Sequence, residues 1–130
     1  MNGDKVILVD TSILIDLFRK TDKRNSRLVA LVRQGYTFSI SAITEYEIYA
    51  GATEPQKSYW EDLLNKIEVL PFDQAVVKLA VDINNSLKKK RKQIGIADLF
   101  IAATAIANKL PFATLNIKHF ERVDDLEFVE

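Results

Sequence analysis

The sequence contains no cysteine and only one histidine. The first absence excludes a disulfide framework and any zinc–thiolate centre. The second excludes a histidine-rich metal cluster, and a single imidazole is a weak catalytic signal by itself. Proline is scarce at three residues; with 48% hydrophobic residues and seven phenylalanines the chain reads as folded rather than disordered. No apolar run reaches the ~20 residues that span a bilayer, and "IADLFIAATAIA" is the longest apolar helix candidate. The N-terminal "MNGDK" places an acidic residue before a short apolar run, with no small-residue cleavage site after it, so no signal peptide is expected. The expected home is the cytoplasm, without a membrane partner. Charge of one sign is also missing, since 18 basic residues face 18 acidic ones. That argues against a generic nucleic-acid coat. It leaves room for a nuclease whose basic groups cluster locally and whose acidic groups hold metal.

What is present is an alternation of short strands and helices. "KVILV", residues 5–9, is apolar and rich in β-branched residues, the pattern of a strand buried on both faces. A helix follows over about 12–19, then the polar break "TDKRN". "SRLVALVRQG" is helical, with Leu28, Leu31 and Val32 on one face and Gly35 as its stop. "YTFSI" is a second strand. "SAITEYEIYAG" is a helix from Ser41 to Gly51, and "EPQKSYWEDLLNK" a helix with Pro55 in its first turn. "IEVLPF" is a third strand. A long helix runs from Asp73 to about Lys89, and a helix apolar on nearly all sides follows in "IADLFIAATAIANK". "LPFATL" is a fourth strand and "LEFVE" a candidate fifth. Strands separated by helices pair in parallel through right-handed crossovers. The expected fold is therefore an α/β/α sandwich around a small parallel sheet. No repeat or linker is visible, so residues 1–130 read as a single domain.

In such a sheet the site lies beyond the carboxyl ends of the strands. Asp10 ends the first strand. Capping the next helix accounts for an acid there as well as catalysis does, and Thr11 and Ser12 are equally suited to a cap. Glu47 lies inside a helix on the face of Ile43, Tyr46 and Ala50. A buried acid there needs a partner; a solvated one, as Glu45 is read to be, does not. Asp98 opens the most apolar helix, beside Ile101, Ala102 and Ala105. A favourable charge at a helix N-terminus explains an acid at that point but not its place beside the core face. Asn116 follows the fourth strand, where turns also favour Asn. His119 is read as structural or as a substrate contact. Asp10, Glu47, Asp98 and Asn116 combine into one acidic pocket if their elements converge. Crowded carboxylates call for a cation, and hard oxygen ligands suit Mg2+ or Mn2+.

The four segments resemble the PIN-domain family, and within it the VapC-type toxins. "VILVDTSILIDLF" is similar to the family's opening block, with Asp10 as its acid. "SAITEYEIYAG" resembles the second, whose Glu stands four residues before a Gly; that selects Glu47 before Gly51. "IGIADLFIAATAIA" resembles the third, with Asp98, and "ATLNIKHFERV" the last, with Asn116 two residues after Thr114. The blocks fall in family order over nearly the whole chain. The resemblance implies a metal-dependent endoribonuclease that hydrolyses structured RNA, often transfer RNA, leaving 5′-phosphate and 3′-hydroxyl ends. Asp10 and Asp98 would bind Mg2+ or Mn2+ most directly, Glu47 would hold the ion or its waters, and Thr11, Ser12 and Thr114 would orient ligands. The departure is Asn116, which offers a carbonyl oxygen without charge where the family also uses Asp. The implied partners are a small antitoxin protein and a second copy of the chain.

The main rival is a PIN-like domain that binds RNA or protein without cleaving, which Asn116 favours and the Asp10, Glu47, Asp98 trio opposes. A receiver-like signalling domain fits less well, because Asp10 is followed by Thr11 rather than a second acid. Two further features carry expectations. "KKKRK", residues 88–92, ends six residues before Asp98, so Lys90, Arg91 and Lys92 are expected to hold RNA phosphates at the pocket mouth. Tyr46, Tyr49, Tyr59 and Trp60 crowd two adjacent helices and are candidate anchors for a partner.

Overall fold

The computed structural model describes residues 5–129. Residues 1–4, over which no leader is expected, and Glu130, the end of the candidate fifth strand, lie outside them. The described residues form four strands in one sheet: β1 (Val6–Val9), β2 (Thr37–Ser41), β3 (Glu68–Leu70) and β4 (Phe112–Ala113). The order is β3-β2-β1-β4 and every pairing is parallel, with Leu8 opposite Ser39 on one side and Phe112 on the other. The first three strands progress to one edge, and β4 then returns to the far side of β1. The reversal lies between β1 and β4, and a crevice opens there at the carboxyl ends of the strands.

Helices cover both faces. α1 (Thr11–Arg19), α2 (Arg27–Arg33), α3 (Ala42–Gly51) and α4 (Lys57–Leu64) pack with Ile7, Val9 and Ile40. α5 (Gln74–Lys89) and α6 (Ile96–Ala107) pack with Leu8 and Phe112 on the opposite face, where a short α7 (Ile117–Phe120) adds Phe120. Alternate residues of β1 thus enter different cores, as the period of two requires. Ala102, Ala103 and Ala105 are fully buried, and their small side chains let α6 lie close to the sheet and to α5. No helix among the described residues is long and apolar enough to cross a membrane.

The caps agree with the sequence. Asp10, Ser26, Ser41 and Asp73 each accept a backbone N–H at the start of a helix. Gly35, with φ 96, follows α2 in the left-handed region that glycine favours. Other details differ from expectation. Residues 54–56 form a 3-10 turn before α4, tied by Thr53 N–H donating to Gln56 Oε1 at 3.0 Å. α7 was not expected. The candidate fifth strand reduces to one parallel bridge, Phe112 with Phe128. β4 holds two residues instead of six: at one end Leu110 N is taken by Ala105 O of α6, and at the other Leu115 N donates to Ser12 Oγ.

The aromatic set also divides. Trp60 is 2% exposed and stacks on Phe18, and Tyr59 meets both rings edge-on. Tyr46 protrudes furthest of the four, at 71% exposure, and Tyr59 is 36% exposed.

Candidate active site

A cleft of about 720 Å3 opens at the β1–β4 reversal, and Asp10, Glu47, Asp98 and Asn116 all line it. Four segments far apart in sequence therefore converge as expected. Each arrives by a separate device. β1 delivers Asp10, α3 delivers Glu47 from its middle, α6 delivers Asp98 from its first turn, and Asn116 stands at the start of α7.

Asp10 is 4% exposed, yet its hydrogen-bond donors are all neutral. Oδ1 accepts from Ser12 Oγ at 2.5 Å and from Ile13 N at 3.3 Å. Oδ2 accepts from Thr114 Oγ1 at 2.6 Å. Burial pushes the Asp10 carboxyl above the ordinary carboxylate range, and the hydroxyl and amide donors oppose that rise only in part. The two hydroxyls lie 3.5 Å apart and stitch the end of β1 to the end of β4. Ser12 and Thr114 thus hold the acid.

Thr11 serves a different acid. Its hydroxyl lies 2.6 Å from Glu47 Oε1, and Thr44 Oγ1 lies 3.1 Å away on the other side. Thr44 is buried and fixed by Ser41, whose Oγ accepts Thr44 N at 3.0 Å. Glu47 is therefore held from α1 through a hydroxyl relay that ends in β2. Thr44 stands one turn before Glu47, and that i−3 spacing was the available sequence signal for it.

Asp98 has a side chain 30% exposed, with His119 Nδ1 3.5 Å from its Oδ2. Asn116 makes no side-chain capping bond to α7, so its amide is not spent on the helix. Among the described residues, no three His, Cys, Asp or Glu side chains are gathered tightly enough to form a ready metal cage. The acids share a cleft rather than crowd into a cluster. Their donor set is nonetheless all hard oxygen, and Asp10 is a buried anion without a cationic partner among its hydrogen bonds. Both features fit a divalent ion of the Mg2+ class.

The cleft also holds groups that the sequence reading passed over. Ile15, Asp16, Arg19 and Lys20 line it from α1. Ser12, Ile15, Asp16 and Arg19 follow the i, i+3, i+4, i+7 spacing of one helix face, which was the signal for them. Asp16 is partly occupied, accepting Arg27 N at 2.9 Å and pairing with Lys20 at 3.5 Å.

The basic run is placed differently from expectation. Lys90, Arg91 and Lys92 are not among the residues that line the cleft. They terminate α5: Arg91 N donates to Lys88 O at 3.0 Å and Lys92 N to Leu87 O at 2.9 Å, with Arg91 at φ 55. That is a Schellman stop with arginine where glycine is usual. Lys90 Nζ is bound to Asp124 at 2.7 Å, and the lysine holds that carboxyl below its usual range.

Comparison with known proteins identifies the family. The PIN domain is the family description that matches the chain, over residues 7–126. Ribonuclease VapC1 of Methanocaldococcus jannaschii is 37% identical over 120 residues, which cover 92% of this chain and 82% of that protein. The VapBC-1 structure from nontypeable Haemophilus influenzae aligns with a TM-score of 0.81 at 26% identity, over 96% of this chain and 97% of that one. A toxin–antitoxin complex from Klebsiella pneumoniae aligns with a TM-score of 0.73 at 26% identity, over 92% and 94%. The chain belongs to the PIN-domain family, among its VapC ribonucleases.

Proposed function

We propose that this chain is the toxin of a toxin–antitoxin pair, a cytoplasmic endoribonuclease that hydrolyses structured RNA with Mg2+ or Mn2+ and is restrained by a small antitoxin protein. The observation that carries the reading is the convergence of Asp10, Glu47 and Asp98 on one open cleft, with the Asp10 charge buried and uncompensated. Family membership supports ribonuclease chemistry, and relatives solved as VapBC and toxin–antitoxin complexes support the antitoxin.

In this reading Asp10 and Asp98 hold the divalent ion, and Glu47 and Asn116 face it or its waters. When bound, the ion supplies Lewis-acid activation of water and neutralises charge on the phosphate. Ser12 and Thr114 keep both Asp10 oxygens in place, and Thr11 keeps Glu47 turned into the cleft. Fixed donors and acceptors of this kind need no reorganisation during the reaction. Asn116 contributes an oxygen without charge, so a second ion would be held more weakly than an Asp would hold it. The open cleft admits a folded RNA, and transfer RNA is the proposed target class. A homodimer belongs to the same proposal.

The test uses the toxin purified free of its partner. Incubation with structured RNA and Mg2+ should produce new 5′-phosphate and 3′-hydroxyl ends, mapped by end sequencing. Asp98→Asn should abolish them and Glu45→Gln should leave them, since Glu45 does not line the cleft. RNA binding without new ends in the wild type would favour the non-cleaving alternative. Light scattering of the same preparation tests the dimer.

A further inference from the structure

A second depression, of about 400 Å3, adjoins the acidic cleft and shares Asp98 and His119 with it. Its outer bank is formed by Lys118 and Arg122. Both are exposed, and neither forms an ion pair among the described residues. Arg122 also borders Asp124 and Asp125, but no ion pair fixes it to either. Two cations elsewhere are committed: Lys20 to Asp16, and Lys90 to Asp124. Lys118 and Arg122 are available beside the acids.

A polyanion lying across three carboxylates is repelled wherever no cation intervenes. A divalent ion answers that at the phosphate being cut, but the neighbouring phosphates need cations of their own. Arg19 stands on the α1 bank of the cleft. Lys118 and Arg122 stand on the Asp98 side, with His119 on the wall between the two depressions. A strand that crosses from one bank to the other passes over the acids midway.

We infer that the depression bounded by Lys118 and Arg122 is a backbone-phosphate subsite that holds the RNA strand on the Asp98 side of the cut bond. The inference rests on the ribonuclease reading and adds the course of the strand. It assigns the site's phosphate contacts to α7 and the turn after it, not to the basic run at residues 88–92. The contacts are to phosphate, so they position RNA without reading its sequence.

The test is a salt titration of binding to a fluorescently labelled single-stranded RNA, in an Asp98→Asn background that prevents cutting. The comparison is between that parent, the same protein with Lys118→Gln and Arg122→Gln, and the same protein with Lys90→Gln, Arg91→Gln and Lys92→Gln. Each lost contact to a single strand lowers the slope of log affinity against log salt by ~0.7. The Lys118/Arg122 variant should therefore lose about 1.4 from the slope; between 50 and 200 mM salt its affinity should fall about sevenfold less than the parent's. The triple variant should keep the parent's slope. All three should melt alike, because the substituted side chains are exposed. A parent-like slope in the Lys118/Arg122 variant overturns the inference alone, as does a reduced slope in the triple variant only. If the parent does not bind RNA and the wild type produces no new RNA ends, the ribonuclease reading fails and the inference falls with it.

Discussion

Replacing Asp10 by Asn separates the two jobs this residue performs. The carboxylate caps α1 through Ile13 N at 3.3 Å and accepts two hydroxyls at 2.5 and 2.6 Å. Asn caps a helix about as well as Asp, so that contact survives. Each hydroxyl bond falls from the charged class, ~1.5–3 kcal/mol, towards the neutral one, ~0.5–1.5, a combined loss of about 2 kcal/mol. Against this, a carboxylate 4% exposed and without a cation is no longer held in the interior. Relief of that desolvation is worth on the order of a few kcal/mol. The terms nearly cancel, and the metal-free Asp10→Asn protein should melt within roughly 4 °C of the wild type. Asp10→Ala gains the same relief but keeps none of the hydrogen bonds that Asn retains. It loses the cap, about 1 kcal/mol, and leaves two hydroxyls without their acceptor. It should melt roughly 10 °C lower than Asp10→Asn. Thermal melts in EDTA measure both, and cleavage of structured RNA with Mg2+ measures function. Asp10→Asn should lose at least about 100-fold in rate, on the scale of removing one aligned electrostatic group. Full cleavage by this variant would refute the active-site assignment. A collapse in its metal-free stability to the level of Asp10→Ala would show that the network depends on the charge, against the cancellation argued above.

Three other outcomes follow from the same geometry. Mg2+ or Mn2+ at ten times its dissociation constant should stabilise the native state by about 1.4 kcal/mol, roughly 5 °C; Asp98→Asn should lose that shift while its metal-free form stays no less stable, and a shift matched by ionic strength alone would discount the metal site. Thr11→Val removes the hydroxyl 2.6 Å from Glu47 while keeping the side chain's shape; it should lower cleavage by about 10–100-fold with stability reduced by only about 1 kcal/mol, and wild-type rates would mean that Glu47 needs no such support. Arg91→Gly relieves a left-handed arginine at φ 55 and should raise unfolding free energy in urea by about 0.5–1 kcal/mol, with unchanged or lower stability refuting the strain.

Features expressed as local pattern were legible before the structure. The apolar "VILV" run, the Gly35 stop and the Asp73 cap each act within a few residues, and each element stands where its pattern put it. The four candidate residues were picked out by the family resemblance of the segments that carry them, and the cleft brings all four together. What was missed depends on contacts distant in sequence. β4 looked like six residues, but the amide of Leu115 is taken by the Ser12 hydroxyl. A side-chain acceptor replaced a ladder partner, and a propensity reading has no means of seeing that exchange. α7 is one turn long, too short to display a helical period. The basic run stood out in composition and was read as an RNA contact at the mouth of the pocket; its backbone ends α5, and Lys90 is bound to Asp124. Lys118 and Arg122 have no such conspicuous spacing; only the placement of α7 beside Asp98 brings them to the cleft.

A buried strand that ends on a carboxylate invites two explanations, a helix cap or a reactive acid. In this fold they are one arrangement. The cap fixes the rotamer, because Oδ1 must reach Ile13 N while Ser12 Oγ binds the same oxygen. With that oxygen committed, Oδ2 points across the reversal of strand order to Thr114. Thr114 Oγ1 in turn accepts Asn116 N and Ser12 Oγ accepts Leu115 N, so the segment that carries Asn116 is anchored to the same carboxylate. The neutral donors let the interior tolerate the anion without cancelling its charge, and an anion left uncancelled can still attract an ion from solvent. A lysine in place of either hydroxyl would cancel the charge and leave the cleft with less to offer a metal. The polar residues around Asp10 therefore keep the charge available at a tolerable desolvation cost, a compromise expected where binding is favoured over stability.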